Sequence, residues 1–351
     1  MSQPGLAQRM RYALGTGARV AFYAGHYLAA RRLRPQKREG APGFVPAHAM
    51  PSEAAIYADL KRLMERDWAN IAAGVYAAPH DLVPDLGDLA ALARASRGFF
   101  KDLPTVDRRR REEAHQEVFE RVSREGYPRY YLQNFHYQTD GYLSAHSAGL
   151  YDFQVETLFS GAADAMRRQA LPPIAETLKG RDQRKARLLD VACGTGRLLG
   201  FVKDNFPRLP ALGVDLSPAY LDFARERLAA FSGLDFVRAN AERLPFEDGE
   251  FDVATAVFLF HELPPKARAA VAREMARVTK AGGRIVLVDS VQYGDHPPYD
   301  GLLDYFPAHF HEPYYAGYAR EDFSRLFGAA GARQLSAERA FLSKVMVFGK
   351  G

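Results

Sequence analysis

Cysteine occurs once in the 351 residues, at Cys193. No intrachain disulfide can form, and neither a thiolate zinc site nor a cysteine-held iron–sulfur cluster can be assembled. A reducing, cytoplasmic setting is expected. Long apolar runs are also missing: no stretch approaches the ~18 uninterrupted apolar residues of a membrane-crossing helix, because Arg19 divides the most apolar part of the first segment. No tidy apolar core with a cleavage site is present there, so no secretory signal is expected. Acidic residues are nearly absent from residues 1–50, where eight Arg and Lys face Glu39 alone. The chain's net +5 therefore belongs to its beginning, and the body is slightly acidic. A body without basic excess has little with which to neutralise phosphates, so no nucleic-acid partner is expected.

What is present divides into three parts. Residues 1–50 read as a basic arm and linker. Leu6 to Leu33 interleave Tyr12, Phe22, Tyr23 and Tyr27 with arginines, and Pro35, Gly40, Pro42, Gly43, Pro46 and Pro51 follow. Such an arm suits peripheral contact with an anionic membrane surface or packing on the body. Residues 51–180 read as helical. Ser52 is a candidate N-cap for a helix with Ile56, Leu60, Leu63, Met64 and Ile71 on one face, and helical patterns recur over Leu86 to Phe100 and Val106 to Val122. The Arg108 to Arg111 run is expected to be a solvated face beside Glu112 and Glu113. Tyr127 to Tyr151 instead crowds tyrosines and histidines around Pro128, Gly141 and Gly149. That composition suits either a pocket for a flat, partly polar molecule or an aromatic core seam.

Residues 181–351 alternate strand and helix patterns. Leu188 to Ala192 reads as a strand, Cys193-Gly194-Thr195-Gly196 as a turn, and Arg197 onward as a helix. Strands are then expected at Ala211 to Asp215, Asp235 to Arg238, Phe251 to Phe258 and Arg284 to Asp289, with helices at Pro218 to Phe231 and Pro265 to Val278. The alternation implies a parallel, doubly wound α/β sheet. Arg320 to Gly331 reads as a final helix and Arg333 to Lys350 as a hairpin. A glycine turn at the head of a helix binds a ligand over the strand end. The dinucleotide fingerprint wants a third glycine, and Leu199 stands in its place.

Asp190-Val-Ala-Cys-Gly-Thr-Gly196 resembles the first motif of the class I S-adenosylmethionine (SAM) dependent methyltransferases, with Ala192 where the first glycine is usual. Asn240-Ala241-Glu242-Arg243-Leu244-Pro245-Phe246 is similar to a later block of the same family, Asn240 standing where an acidic residue is usual. The resemblance covers Leu188 to Lys350 and is nearest to the ubiquinone/menaquinone-type C-methyltransferases. It implies a Rossmann-like sheet of seven strands closed by an antiparallel C-terminal hairpin, with SAM as cofactor. It places SAM against Asp190, Ala192, Gly194, Gly196, Asp215, Leu216, Asn240, Ala241 and Phe258, with Asp215 at the ribose hydroxyls and Asn240 at the adenine amine.

The segment Phe258 to Pro264 lacks the Asn/Asp-Pro-Pro-aromatic sequence of amino-group methylases. A small aromatic or lipophilic acceptor methylated at carbon or oxygen is therefore expected. The alternatives are an O-methyltransferase of a phenol or carboxylate, and a SAM-binding interaction protein without transfer. His261 is the candidate general base, with helix capping as the alternative, and Glu262 reads as structural. Residues 291–319 are too long for a plain connection and read as an acceptor lid. Tyr142, His146 and His309 are expected to join His261 around the acceptor. His309-Phe-His311-Glu312 has ligand-type side chains but no further ligands at recognisable spacing, so no metal is expected.

Overall fold

The computed structural model describes residues 5–33, 44–121, 123 and 125–351. Pro35, Gly40, Pro42 and Gly43 of the expected linker, and Val122, lie outside the described residues. Seven strands form one sheet in the order β3-β2-β1-β4-β5-β7-β6. They are β1 (Leu188–Val191), β2 (Ala211–Asp215), β3 (Leu234–Arg238), β4 (Phe251–Val257), β5 (Thr279–Ser290), β6 (Ala332–Ala340) and β7 (Ser343–Lys350). The first five run parallel and β7 pairs antiparallel with both β5 and β6. This is the Rossmann-like seven-stranded sheet with its C-terminal hairpin.

Both faces of the sheet are covered, and side-chain alternation divides the core in two. Leu188, Val253, Val286 and Val288 face one cluster, and Leu189, Val191, Ala254, Ile285 and Leu287 face the other. The helices between the strands are α8 (Arg197–Asn205), α9 (Pro218–Arg227) and α10 (Pro265–Val278). Leu198 and Leu199 of α8, Leu221 of α9 and Leu228 just after α9 pack on the first face, and Val271 and Met275 of α10 on the second. β5 begins five residues before the expected Arg284, because Thr279 already pairs with Phe251 and a bulge absorbs the shift.

The helical part comprises α1 (Leu6–Leu33), α2 (Glu53–Ala72), α3 (Leu86–Glu112), α4 (Glu117–Arg121), α5 (Ala145–Leu158), α6 (Ala163–Arg168) and α7 (Leu171–Leu178). Ser52 caps α2 by accepting from the Ala55 N–H at 3.2 Å. α3 runs through Pro104, where the sequence pattern shows a gap, and ends at Glu113 in a left-handed conformation. The arginine run is not a plain solvated face: Arg109 is buried and donates to Glu117 at 2.7 Å and Thr139 at 2.9 Å.

α1 is docked on the body. Tyr12 donates to Asp67 at 2.6 Å, and Arg19 reaches Glu156 at 2.9 Å and Asp164 at 2.6 Å. Asp67, fully buried on α2, also holds Arg168 at 2.7 Å. Buried carboxylates need such partners, so Tyr12 and Arg19 tie the arm to the interior, while Phe22 and Tyr27 stay exposed. No described helix is long and apolar enough to cross a membrane.

The insertion after β5 contains α11 (Asp300–His309) and α12 (Tyr315–Tyr318), followed by α13 (Phe323–Gly328). Asp304 of α11 accepts from the backbone N–H of His48, anchoring the insertion to the segment before α2.

Candidate active site

The chain reverses its winding between β1 and β4, which leave that point toward opposite sides of the sheet, and open α/β sheets bind ligands at such a switch. A cleft lies there. Its floor comes from the strand ends: Ala192 and Gly194 after β1, Asp215 and Leu216 at β2, Asn240 and Ala241 after β3, and Phe258 and Glu262 after β4. Its roof is the aromatic segment, through Tyr130, Tyr131, Phe135, Tyr142 and Tyr151, with Tyr220 of α9 beside them.

The floor is built by unusual backbone. Ala192, Gly194 and Gly196 all have positive φ, 55°, 54° and 73°. The left-handed region suits glycine, which gives the physical reason a glycine is usual where this chain has Ala192. Gly194 opens on the cleft and donates its N–H to Asp215 Oδ2 at 2.9 Å. Ser217 donates to the other Asp215 oxygen at 2.8 Å. Burial pushes the Asp215 carboxyl upward while these two N–H groups oppose the shift.

The roof is tied down by phenols. Tyr142 donates to Glu262 Oε1 at 2.7 Å, and Tyr130 to Glu242 at 2.8 Å. Tyr142, Tyr151 and Tyr220 meet edge to face with ring centres 5.6–6.1 Å apart. The cleft's lining carries two carboxylates, Asp215 and Glu262, and no Lys or Arg. Such a lining favours a ligand that is cationic or has cationic parts, and disfavours phosphates.

The family described as "Methyltransferase domain" matches residues 188–283, from the first residue of β1 into β5. The chain carries a class I SAM-dependent methyltransferase domain. It is 30% identical over 159 residues to the ubiquinone/menaquinone biosynthesis C-methyltransferase of Desulfotalea psychrophila, covering 45% of this chain and 61% of that protein. It is 33% identical over 162 residues to the demethylmenaquinone methyltransferase of Deinococcus radiodurans, covering 46% and 62%. With the demethylmenaquinone methyltransferase of Thermus thermophilus the identity is 35% over 141 residues, covering 40% and 60%. The chain thus spans about six tenths of the length of these relatives. The family's cofactor is SAM.

Within the methyltransferase domain the expected residues separate. Ala192, Gly194, Asp215, Leu216, Asn240, Ala241 and Phe258 line the cleft. Asp190 does not: its carboxyl accepts from Thr255 at 2.6 Å beneath the floor, and burial pushes it up to about 7. Gly196 is a packing glycine, since a Cβ there would meet Leu228 at 2.8 Å. The amide oxygen of Asn240 already accepts from the Glu242 N–H at 2.9 Å, leaving one lone pair for a ligand.

The four residues expected around an acceptor are not gathered together. Tyr142 is on the cleft. His146 is exposed, because Ser144 caps α5 and turns Ser147 and Leu150 inward. His309 stacks on Tyr305 at 3.7 Å and meets Phe44 edge-on, away from the lining. His261 lies behind the wall, Nδ1 2.6 Å from Asp289 and Nε2 3.7 Å from Glu262. Burial pushes its imidazole down, but the Asp289 carboxylate outweighs this and holds it above the ordinary value. Residues 291–319 do not reach the cleft either. They pack behind the roof, with His311 at Gln133 and Glu312 at His136.

Glu262, read from sequence as structural, is the carboxylate on the wall. Behind it stand His136 and Glu312, which sequence spacing could not pair, because they lie on segments far apart in the chain. The one available signal was the histidine and acidic content of both segments.

Proposed function

We propose that the protein transfers the methyl group of SAM to a small, uncharged aromatic or lipophilic acceptor at carbon or oxygen. The observation that carries this reading is the cleft itself: a glycine-turn floor with Asp215 at one end, under a roof of tyrosines with no basic side chain. Ring faces and carboxylates suit both the sulfonium of SAM and a flat neutral acceptor. The quinone-type acceptors in the relatives' names are of that chemical class.

The donor would lie over Gly194 with its ribose at Asp215 and its adenine near Asn240. The acceptor would enter beneath Tyr142 and Tyr151, where the Tyr142–Glu262 pair offers the polar corner that orients it. Transfer is a direct displacement, so these residues need only align the acceptor with the S–methyl bond and exclude water. The cleft encloses about 110 Å³, below the ~300 Å³ of sites that hold drug-sized ligands. Loading therefore requires the tyrosine roof to lift. Incubation with methyl-labelled SAM and a small-molecule and lipid extract tests the reading; a folded, SAM-binding protein that labels nothing would overturn it.

The outer face of α1 supports peripheral membrane contact as a second property. Leu6, Met10, Leu14, Leu28 and Leu33 are exposed beside exposed Arg9, Arg11, Arg31 and Arg32. Sedimentation with anionic vesicles tests it, and binding unchanged in Leu14→Asp would count against this face.

A further inference from the structure

Behind the cleft wall, four side chains from three separate segments converge. His136 comes from the aromatic segment, His261 and Glu262 from the turn after β4, and Glu312 from the insertion between α11 and α12. One ligand-type atom from each lies within 4.8 Å of all the others. His136 Nε2 is 3.1 Å from Glu312 Oε1 and 3.6 Å from Glu262 Oε1, and His261 Nε2 is 3.7 Å from Glu262 Oε1. Imidazole and carboxylate ligands held about 2.1 Å from one shared ion would stand about 3–4 Å apart.

The polar accounting around them is incomplete. Glu312 is 4% exposed and neither of its oxygens accepts a hydrogen bond; Glu262 Oε2 and His136 Nδ1 are likewise buried without one. Buried groups of this kind are normally satisfied. Three carboxylates, those of Glu262, Asp289 and Glu312, sit among two imidazoles. Asp289 is itself locked by the Phe260 N–H at 2.7 Å and the Ser290 N–H at 2.8 Å, and it fixes His261 through Nδ1. That leaves Nε2 aimed at the cluster, the arrangement by which an outer carboxylate orients a metal-ligating histidine. His136 and Tyr137 both hold positive φ, 53° and 58°, a cost that points to a positional requirement at His136.

We propose that His136, His261, Glu262 and Glu312 bind one divalent first-row transition-metal ion. Two imidazoles with two carboxylates and no thiolate fit zinc, manganese, iron or cobalt better than magnesium or calcium, which prefer oxygen alone. Glu262 Oε1, the oxygen 3.6 and 3.7 Å from the two imidazoles, accepts from Tyr142 with one lone pair and offers the other to the ion. The ion ties the aromatic roof and the insertion to the end of β4, so its occupancy sets how firmly the roof closes.

The test needs neither SAM nor an acceptor, so its failure would leave the methyl-transfer reading untouched. The full chain is stripped with a chelator, titrated with Co²⁺, desalted, and measured for retained metal and ligand-field absorption. One Co²⁺ per chain is expected, with a raised melting temperature. Glu312→Gln and His136→Gln should each lose the retained ion, Asp289→Asn should weaken it about 10- to 100-fold, and His146→Ala should change nothing. Far-ultraviolet circular dichroism checks folding, and His136→Gln carries the test if Glu312→Gln misfolds. Absence of retained Co²⁺, Zn²⁺ or Mn²⁺ in wild type would overturn the proposal. Retention equal in wild type and the folded variants would overturn it equally.

Discussion

Arg19 in the first helix and Asp164 in α6, 145 positions apart, meet at 2.6 Å. The same Asp164 receives Arg197 Nε at 3.0 Å and Arg167 at 2.9 Å, so the basic arm is wired into the helix that follows the glycine turn. Removing one partner of a buried ion pair costs about 3–5 kcal/mol, and the lower end applies because Arg19 is 26% exposed. Arg19→Ala is expected to lower unfolding stability by about 3 kcal/mol. A chain starting at Ser52 should unfold at lower denaturant still, having lost Tyr12 from Asp67 as well. Denaturant melts of both proteins that coincide with wild type would disprove the docked arm.

The same network sets an acid limit. Burial pushes Asp81 up, but Arg197 and Arg19 outweigh it and bring the carboxyl down to about 2, while Asp164 is held well below the usual range despite burial, chiefly by Arg197. A depressed carboxyl contributes stability that is complete above its unfolded value, near 3.9, and disappears as pH falls through the folded one. Stability should therefore decline from about pH 4 toward pH 2. Arg197→Met should flatten that decline in a series of melts against pH; an unchanged slope would rule the network out as its source.

Asp215 is the anchor expected at the ribose. Asp215→Ala should weaken SAM binding by about 1.5–3 kcal/mol, the worth of hydrogen bonds to a charged group, or about 10- to 150-fold. Calorimetry on the folded variant measures it directly, and undiminished affinity would move the donor elsewhere.

Tyr142 and Glu262 share a 2.7 Å hydrogen bond on the cleft wall, whereas His146 and His309 lie off it. Tyr142→Phe should lower kcat/KM for the acceptor about 10- to 150-fold with little change in SAM affinity. His146→Ala and His309→Ala should behave as wild type. Steady-state kinetics on the acceptor found by labelling distinguishes these outcomes; a loss in either histidine variant would relocate the acceptor.

Ala192 holds a φ of 55° that glycine adopts freely. Relieving it is worth about 1–2 kcal/mol, offset by about 0.5–1 kcal/mol for the greater entropy glycine loses on folding. Ala192→Gly should thus raise the melting temperature slightly. A lowered midpoint would mean that the methyl group contributes packing that exceeds the strain.

The sheet and the methyltransferase motifs are legible in the sequence alone. Those signals are local: a short strand, apolar but for Asp190, runs into Gly194 and Gly196, an acidic residue ends β2, and apolar spacing marks each helix, so backbone preference and burial act within a few residues. Asp190 and Gly196 belong to the motif but lie beneath the cleft floor, since sequence locates a motif without telling which way each side chain faces. The remaining features depend on contacts between distant segments. Arg109 reads as one of a charged run until Glu117 and Thr139 close on it. Phe258 stood at the expected strand end, but its stacking on Phe159 at 5.8 Å required α5 to arrive from elsewhere. His136, Glu262 and Glu312 carry no common spacing at all. They became neighbours because the aromatic segment and the insertion both pack over the end of β4, and contacts between segments so far apart in the chain depend on where the whole fold brings them.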